Sequence, residues 1–173
     1  VPLFKSQLKE GYDLEAIKNI FKEKYNSELV KYEECVDGGS MNPTLQDGDW
    51  VAVSGMRFNI DRGDIVIATQ PWERNVPIVK RVIGVGGDTV NIDFIRGEVF
   101  VNGIMLDEPY IDEPTTLSYD VKFPLTVPEG QLFVMGDNRL NSKDSRTEGC
   151  YDSRQILGKV VFRMMPFNKM GTV

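Results

Sequence analysis

The spacing of apolar residues along this chain changes character near residue 29. Before that point Leu14, Ile17, Ile20 and Phe21 recur at helical spacing, with Lys18, Lys22, Glu23 and Lys24 filling the positions between, which predicts one amphipathic helix. Asp13 is a good N-cap, and Tyr12 with Ile17 occupies the two positions of a hydrophobic staple, so the helix starts near residue 13. From Leu29 onward the pattern becomes short runs rich in Val, Ile, Phe and Tyr, at 29 to 36, 50 to 53, 64 to 68, 77 to 85, 88 to 93, 98 to 101, 131 to 135 and 156 to 163. Turn residues separate these runs, which read as strands.

Asn102-Gly103 sits between Val99-Phe100-Val101 and Ile104-Met105-Leu106, the strongest local hairpin signal in the chain. Many short strands without helical patterns between them predict a mostly β fold, a sandwich or barrel. The stretch from Asp107 to Gly130 contains Pro109, Pro114, Pro124 and Pro128 among several acidic residues, which suits a long surface excursion rather than core. Two units follow: an N-terminal helical extension over residues 1 to 30 and a β domain over 31 to 173.

Composition narrows what such a domain does. With 173 residues and 41% apolar content the chain can bury one real core. A formal charge of -6 without a dense Lys/Arg cluster speaks against a nucleic-acid-binding surface. The chain contains no histidine, which removes Ser/His/Asp and Cys/His catalysis and the usual histidine-bearing metal sites together. No cofactor or metal is expected, and any general base is Lys, Asp, Glu, Tyr or a thiolate. Cys35 and Cys150 match no metal-ligand spacing; they read as buried thiols, with a disulfide left open because geometry decides it. No stretch approaches the ~20 apolar residues that span a bilayer. The chain starts at Val rather than Met, so removal of an upstream segment, such as an anchor, is expected.

Three places could carry chemistry. Gly38-Gly39-Ser40-Met41-Asn42-Pro43-Thr44-Leu45 places a serine between a flexible glycine pair and a proline that restricts its predecessor. Taken alone, a serine after two glycines is usually a turn residue, and it needs a base to be more. In Pro77-Ile78-Val79-Lys80-Arg81-Val82-Ile83, strand alternation sets Lys80 on one face with Ile78 and Val82, and Arg81 on the other with Val79 and Ile83. An amine desolvated among apolar neighbours falls from its reference pKa of ~10.4 towards neutrality, and holding Lys80 neutral near pH 8 takes ~3 to 4 kcal/mol of unfavourable charge burial. The ordinary alternative is an edge-strand lysine that snorkels to water. The third place is Met135-Gly136-Asp137-Asn138-Arg139, continuing through Asn141-Ser142-Lys143-Asp144-Ser145-Arg146, which forms either a polar network beside a buried amine or a solvated loop.

At these three places the sequence resembles the type I signal peptidases. Ser40-Met41-Asn42-Pro43-Thr44-Leu45 is similar to the nucleophile box, Lys80-Arg81-Val82-Ile83-Gly84 to the lysine box, and the run from Gly136 to Arg146 to the third signature. Arg62-Gly63-Asp64-Ile65-Val66 and the segment from Val101 to Tyr110 also resemble family segments, so the likeness covers roughly residues 36 to 167 in order.

The resemblance implies a membrane-associated serine endopeptidase on the extracytoplasmic face of the cell membrane, acting on secreted preproteins through an acyl-enzyme. Ser40 would be the nucleophile and Lys80 the general base. Ser142 would hydrogen-bond and orient Lys80, Asp144 and Arg146 would form a supporting ion pair, and Gly136, Asp137 and Asn138 would shape the loop. Many relatives have a serine two residues before the nucleophile; here it is Gly38, which leaves more of the oxyanion hole to the Ser40 backbone N–H. The substrate would be extended, with small residues first and third before the cut, and would add as a strand near Val36 and Ile78. Met41, Leu45 and Ile78 are candidates for the wall of its pocket. In typical members a transmembrane helix leads almost directly into the first strand, so the helical residues 1 to 30 suggest a specialised member, either packing on the domain or membrane surface or recruiting a client such as a pilin. A non-catalytic accessory protein of pilus assembly is the leading alternative, opposed by the presence of both dyad residues. A self-cleaving repressor lacks its DNA-binding domain here, and Ser6-Gln7-Leu8-Lys9 fits Ser-x-x-Lys of penicillin-recognising enzymes without the partner motifs.

Overall fold

The computed structural model describes residues 32–55, 60–70 and 76–173. The amphipathic helix expected before residue 30 lies outside the described residues. Eleven strands follow in order: β1 (Tyr32–Cys35), β2 (Trp50–Ser54), β3 (Ile65–Gln70), β4 (Val76–Val85), β5 (Thr89–Asp93), β6 (Glu98–Val101), β7 (Ile104–Met105), β8 (Leu125–Thr126), β9 (Gln131–Met135), β10 (Tyr151–Asp152) and β11 (Ile156–Met165), with one helical turn α1 (Ser145–Glu148) between β9 and β10. The fold is mostly β, as the run pattern predicts.

The strands form two antiparallel sheets, a seven-stranded one in the order β1-β2-β11-β3-β4-β9-β10 and a four-stranded one in the order β7-β6-β5-β8. β3 is buried on both faces. Its Ile65 and Ile67 enter one cluster with Met41, Leu45, Val51 and Val53, while Val66 and Ala68 enter another with Val82, Val134 and Tyr151. A strand buried on both faces needs a continuous apolar run rather than alternation, and Ile65-Val66-Ile67-Ala68 supplies it. A third cluster joins the sheets: Ile83, Phe133 and Met135 pack on Val90, Ile92, Val99, Val101 and Val127. Each such fully buried side chain contributes roughly 1.5–3 kcal/mol relative to exposure.

The β6–β7 hairpin turns at Asn102 and Gly103, both with positive φ (54° and 78°), the conformation that a type I′ turn demands and that Asn-Gly accepts at least cost. The 107–130 excursion departs from the expected surface course. Thr115 and Val127 are fully buried, and Phe123 packs edge-on against Phe133 with ring centroids 5.7 Å apart.

β4 sets the position of the site. Its first half, Val76 to Arg81, pairs with β3, whereas β9 covers only Arg81 to Val85 on the other side. Among the described residues no strand pairs with the other backbone edge of Val76 to Lys80.

Candidate active site

Ser40 sits on a turn held from two directions. Below it, Met41 and Leu45 are fully buried plugs in the β3 cluster, and Leu45 N–H donates to Met41 C=O at 2.9 Å, closing a helical turn. From the side, Asn138 donates its backbone N–H to Ser40 C=O at 3.0 Å and its side-chain amide to Gly39 C=O at 3.1 Å. Apolar plugs fix the depth of the turn and Asn138 fixes its lateral position.

Lys80 approaches from β4. It is only 4% exposed, and its Nζ lies 2.8 Å from Ser40 Oγ and 2.9 Å from the Val79 carbonyl. Burial pushes the ammonium down from 10.5 to about 8, against the pull of the Asp144 and Asp137 carboxylates, which favour the charged form. Among the described residues no carboxylate comes within ion-pair distance (4.0 Å) of the amine. A hydroxyl and an amine within hydrogen-bond reach, the amine giving up its proton near pH 8 rather than 10.5, can exchange a proton directly.

Behind this pair lies a braced polar layer. Asp137 receives Arg81 Nε at 2.8 Å and Arg81 Nη2 at 2.7 Å, and Thr44 Oγ1 donates to it at 2.5 Å. Arg81 also donates to Gly63 C=O and lies 4.0 Å over the Tyr110 ring. Asp144 pairs with Arg146, both fully buried, and accepts from Gly136 N–H at 2.9 Å. Gly136 C=O takes Arg139 Nε at 3.0 Å, and Arg139 in turn pairs with Glu108 at 2.7 Å. Gly136 is gripped on both sides of its peptide. A Cβ there would collide with Ser142 Oγ and Ser40 C=O, so only glycine lets the third segment pass this close to the nucleophile turn.

A cleft of about 420 Å³ opens in front of the pair, lined among others by Val36, Met41, Ile67, Gln70, Val76, Ile78, Ser40 and Lys80. Among the described residues no helix is long and apolar enough to cross a membrane.

Residues 29–165 match the family described as signal peptidase, peptidase S26. The chain belongs to that family. Similar relatives include signal peptidase I of Bacillus licheniformis, 41% identical over 146 residues that cover 78% of this chain and 77% of that protein. Signal peptidase IB of Staphylococcus aureus strain Mu50 is 38% identical over 152 residues, covering 78% of each chain. The crystal structure of a signal peptidase I from Enterococcus faecalis V583 superposes with a TM-score of 0.52 at 30% identity, covering 60% of this chain and 98% of that one. As a type I signal peptidase of the Gram-positive kind, the protein is a hydrolase that cleaves signal peptides.

The signal peptidase boxes meet at one place, and two of the expected roles, those of Ser142 and Leu45, need correction. Ser142 makes no hydrogen bond to Lys80: its Oγ is buried without a hydrogen-bond partner among the described residues, beside Gly136 and Ser40. Lys80 finds its second partner in Val79 C=O instead. Leu45 is not a pocket wall; it is fully buried beneath the turn, while Val36, Met41 and Ile78 line the cleft. Gly38 offers no oxyanion donor, because its N–H is taken by Asp47 Oδ1 at 2.9 Å. The cysteines remain thiols with no disulfide, and Cys35 is exposed at the cleft rather than buried.

Sequence reasoning misses the partners of this layer. Arg81, Thr44, Glu108, Tyr110, Arg139 and Thr115 are visible inside or near the family-like segments, but pairs such as Arg81–Asp137, 56 positions apart, leave no local trace. The usable signal is an arginine on the apolar Val79/Ile83 face, since a buried guanidinium demands a carboxylate somewhere.

Proposed function

We propose that Ser40 and Lys80 are the catalytic dyad of this signal peptidase. The observation that carries the reading is the 2.8 Å approach of the buried Lys80 Nζ to Ser40 Oγ in a chain without histidine. Neutral Lys80 accepts the Ser40 proton as Oγ attacks the scissile carbonyl. The resulting ammonium then protonates the leaving amine as the C–N bond breaks, which leaves an acyl-serine. A water deprotonated by the same amine attacks the ester and restores Ser40. Ser40 N–H donates no hydrogen bond among the described residues and is the natural oxyanion donor, with Gly38 withdrawn from that task.

The preprotein segment binds as an added strand along the open Val76–Lys80 edge of β4. On the opposite wall, Val36 N–H and C=O are both used by Asp49 and Gly48, so Asp37 presents outward backbone groups there. Val36, Met41 and Ile78 leave room for small side chains before the cut. Asp137, Asp144, Arg146, Gly136 and Asn138 act by holding the nucleophile turn and the lysine strand in register, not by touching the reacting atoms. By the same reading the domain works at the cell membrane on its extracytoplasmic face. Its substrates are secreted preproteins, a dedicated client such as a pilin among them.

Cleavage of a preprotein carrying Ala-x-Ala before the cut tests the dyad. Ser40→Ala and Lys80→Ala should each lower kcat/KM by at least about a thousandfold, and undiminished cleavage by either variant would sink the reading.

A further inference from the structure

Gln70 is a polar residue in an apolar place. It ends β3, opposite Val76 in the β3–β4 ladder, four rungs from the Val66–Lys80 pair, and residues opposed across an antiparallel ladder share a face. Its side chain therefore lies on the face of Lys80 and Ile78, about 13 Å along the strand from the Lys80 backbone at ~3.3 Å per residue. It is 2% exposed and lines the cleft. Besides Lys80, the buried residues lining that cleft are Val36, Met41 and Ile67, all apolar.

The amide is fixed at one end only. Its Nε2 donates to the hydroxyl of the fully buried Tyr151 at 3.3 Å, which holds the group in one orientation. Its Oε1 accepts no hydrogen bond from any described residue. Gln70 Oε1 is not among the buried unpartnered atoms, so it faces the cleft, and a bound strand that covered it without supplying a donor would strip it of water at a cost. The open β4 edge, along which the preprotein strand runs in the reading above, brings substrate side chains past this oxygen.

We propose that Gln70 is a specificity-determining residue: its Oε1 accepts a hydrogen bond from a signal-peptide side chain carrying a hydroxyl or amide donor, about four residues before the scissile bond. The enzyme then prefers Ser, Thr, Asn or Gln at that position over shape-matched apolar residues. A site that presents a polar group penalises a substrate that leaves the group unpaired, whereas an all-apolar cleft would not. The proposal rests on the dyad reading only for the placement of the scissile bond.

The test uses preprotein peptides that differ only by Thr against Val, residues of matched shape, at the fourth or fifth position before the cut. With the wild-type protein, Thr should be favoured in kcat/KM roughly three- to tenfold at one of the two positions, the range of one neutral hydrogen bond. In Gln70→Leu the Thr/Val ratio should fall to about one, and in Tyr151→Phe, which frees the amide, it should fall part of the way. Wild-type protein that treats Thr and Val alike at both positions overturns the proposal, as does a ratio that Gln70→Leu leaves intact. Binding of the same peptides to Ser40→Ala protein separates the two readings. A Thr preference in binding without wild-type cleavage keeps the subsite and sinks the dyad. Cleavage without preference does the reverse.

Discussion

Two neighbouring residues of β4 are buried cations, and the molecule treats them in opposite ways. Arg81 has a counter-ion and more: two donors go to Asp137, one to Gly63 C=O, and the Tyr110 ring lies beneath it. Lys80, one position earlier and equally buried, meets a hydroxyl and a carbonyl but no carboxylate at ion-pair range among the described residues. Burial pulls its pKa down to about 8. The polar layer that braces the turn is neutralised pair by pair, Arg81 with Asp137, Arg146 with Asp144 and Arg139 with Glu108. The charge that must be given up during chemistry is left uncompensated. Buried charge is destabilising wherever it lacks a partner, so the fold tolerates that penalty at one amine and avoids it around the rest of the site.

Breaking a pair in the braced layer should produce the largest effect. Asp144→Ala leaves the buried Arg146 guanidinium without its counter-ion, with only the Arg139 C=O still accepting from it, and strands the Gly136 N–H, and urea denaturation should show a loss of about 3–5 kcal/mol. A loss under 1 kcal/mol would mean that the pairs do not brace the fold. Next comes Gly136→Ala, whose methyl group must displace Ser142 Oγ or Ser40 C=O. Moving the nucleophile by even a fraction of an ångström should lower kcat/KM about a hundredfold, equivalent to ~3 kcal/mol. Steady-state kinetics on folded protein checks this, and unchanged kinetics would show that the close approach is incidental.

The smallest effect has the opposite sign. The Lys80 pKa is lower folded than unfolded, so the unfolded chain holds more protons between pH 8 and 10.5, and stability on this account rises with pH through that window. Below pH 8 the folded protein bears the full cost of the buried ammonium. Lys80→Met should therefore raise stability by about 2 kcal/mol at pH 7, after allowing for two lost hydrogen bonds. The gain should close as pH rises from 8 to 10.5. A variant less stable than wild type at pH 7 would put Lys80 in the class of Arg81.

Local chemistry makes much of this molecule legible in its sequence. Asn102-Gly103 announces its hairpin, and the apolar run at 64 to 68 announces a strand. Three boxes that resemble one family pick out Ser40, Lys80 and the Gly136–Arg146 run. β10 is not legible, because two residues carry no period and Tyr151 is held there by pairing with Leu132. Leu45 looks like a pocket residue by its distance from Ser40, yet the turn closed by Leu45 N–H on Met41 C=O aims it into the core. Glu108 and Thr115 sit in a proline-rich acidic stretch that reads as surface; only Arg139, from a different segment, explains why they are buried. In each case the deciding partner lies outside the local pattern, and for Glu108 and Thr115 it lies far away in sequence.

The central claim is that Lys80 acts as a neutral amine on Ser40, and its most direct test is the pH dependence of kcat/KM for a preprotein substrate. The account predicts a rate that rises as the amine loses its proton, with an apparent pKa near 8 and a plateau above it. A profile flat from pH 6 to 10, or one that rises only near the ordinary lysine value of 10.5, would contradict it.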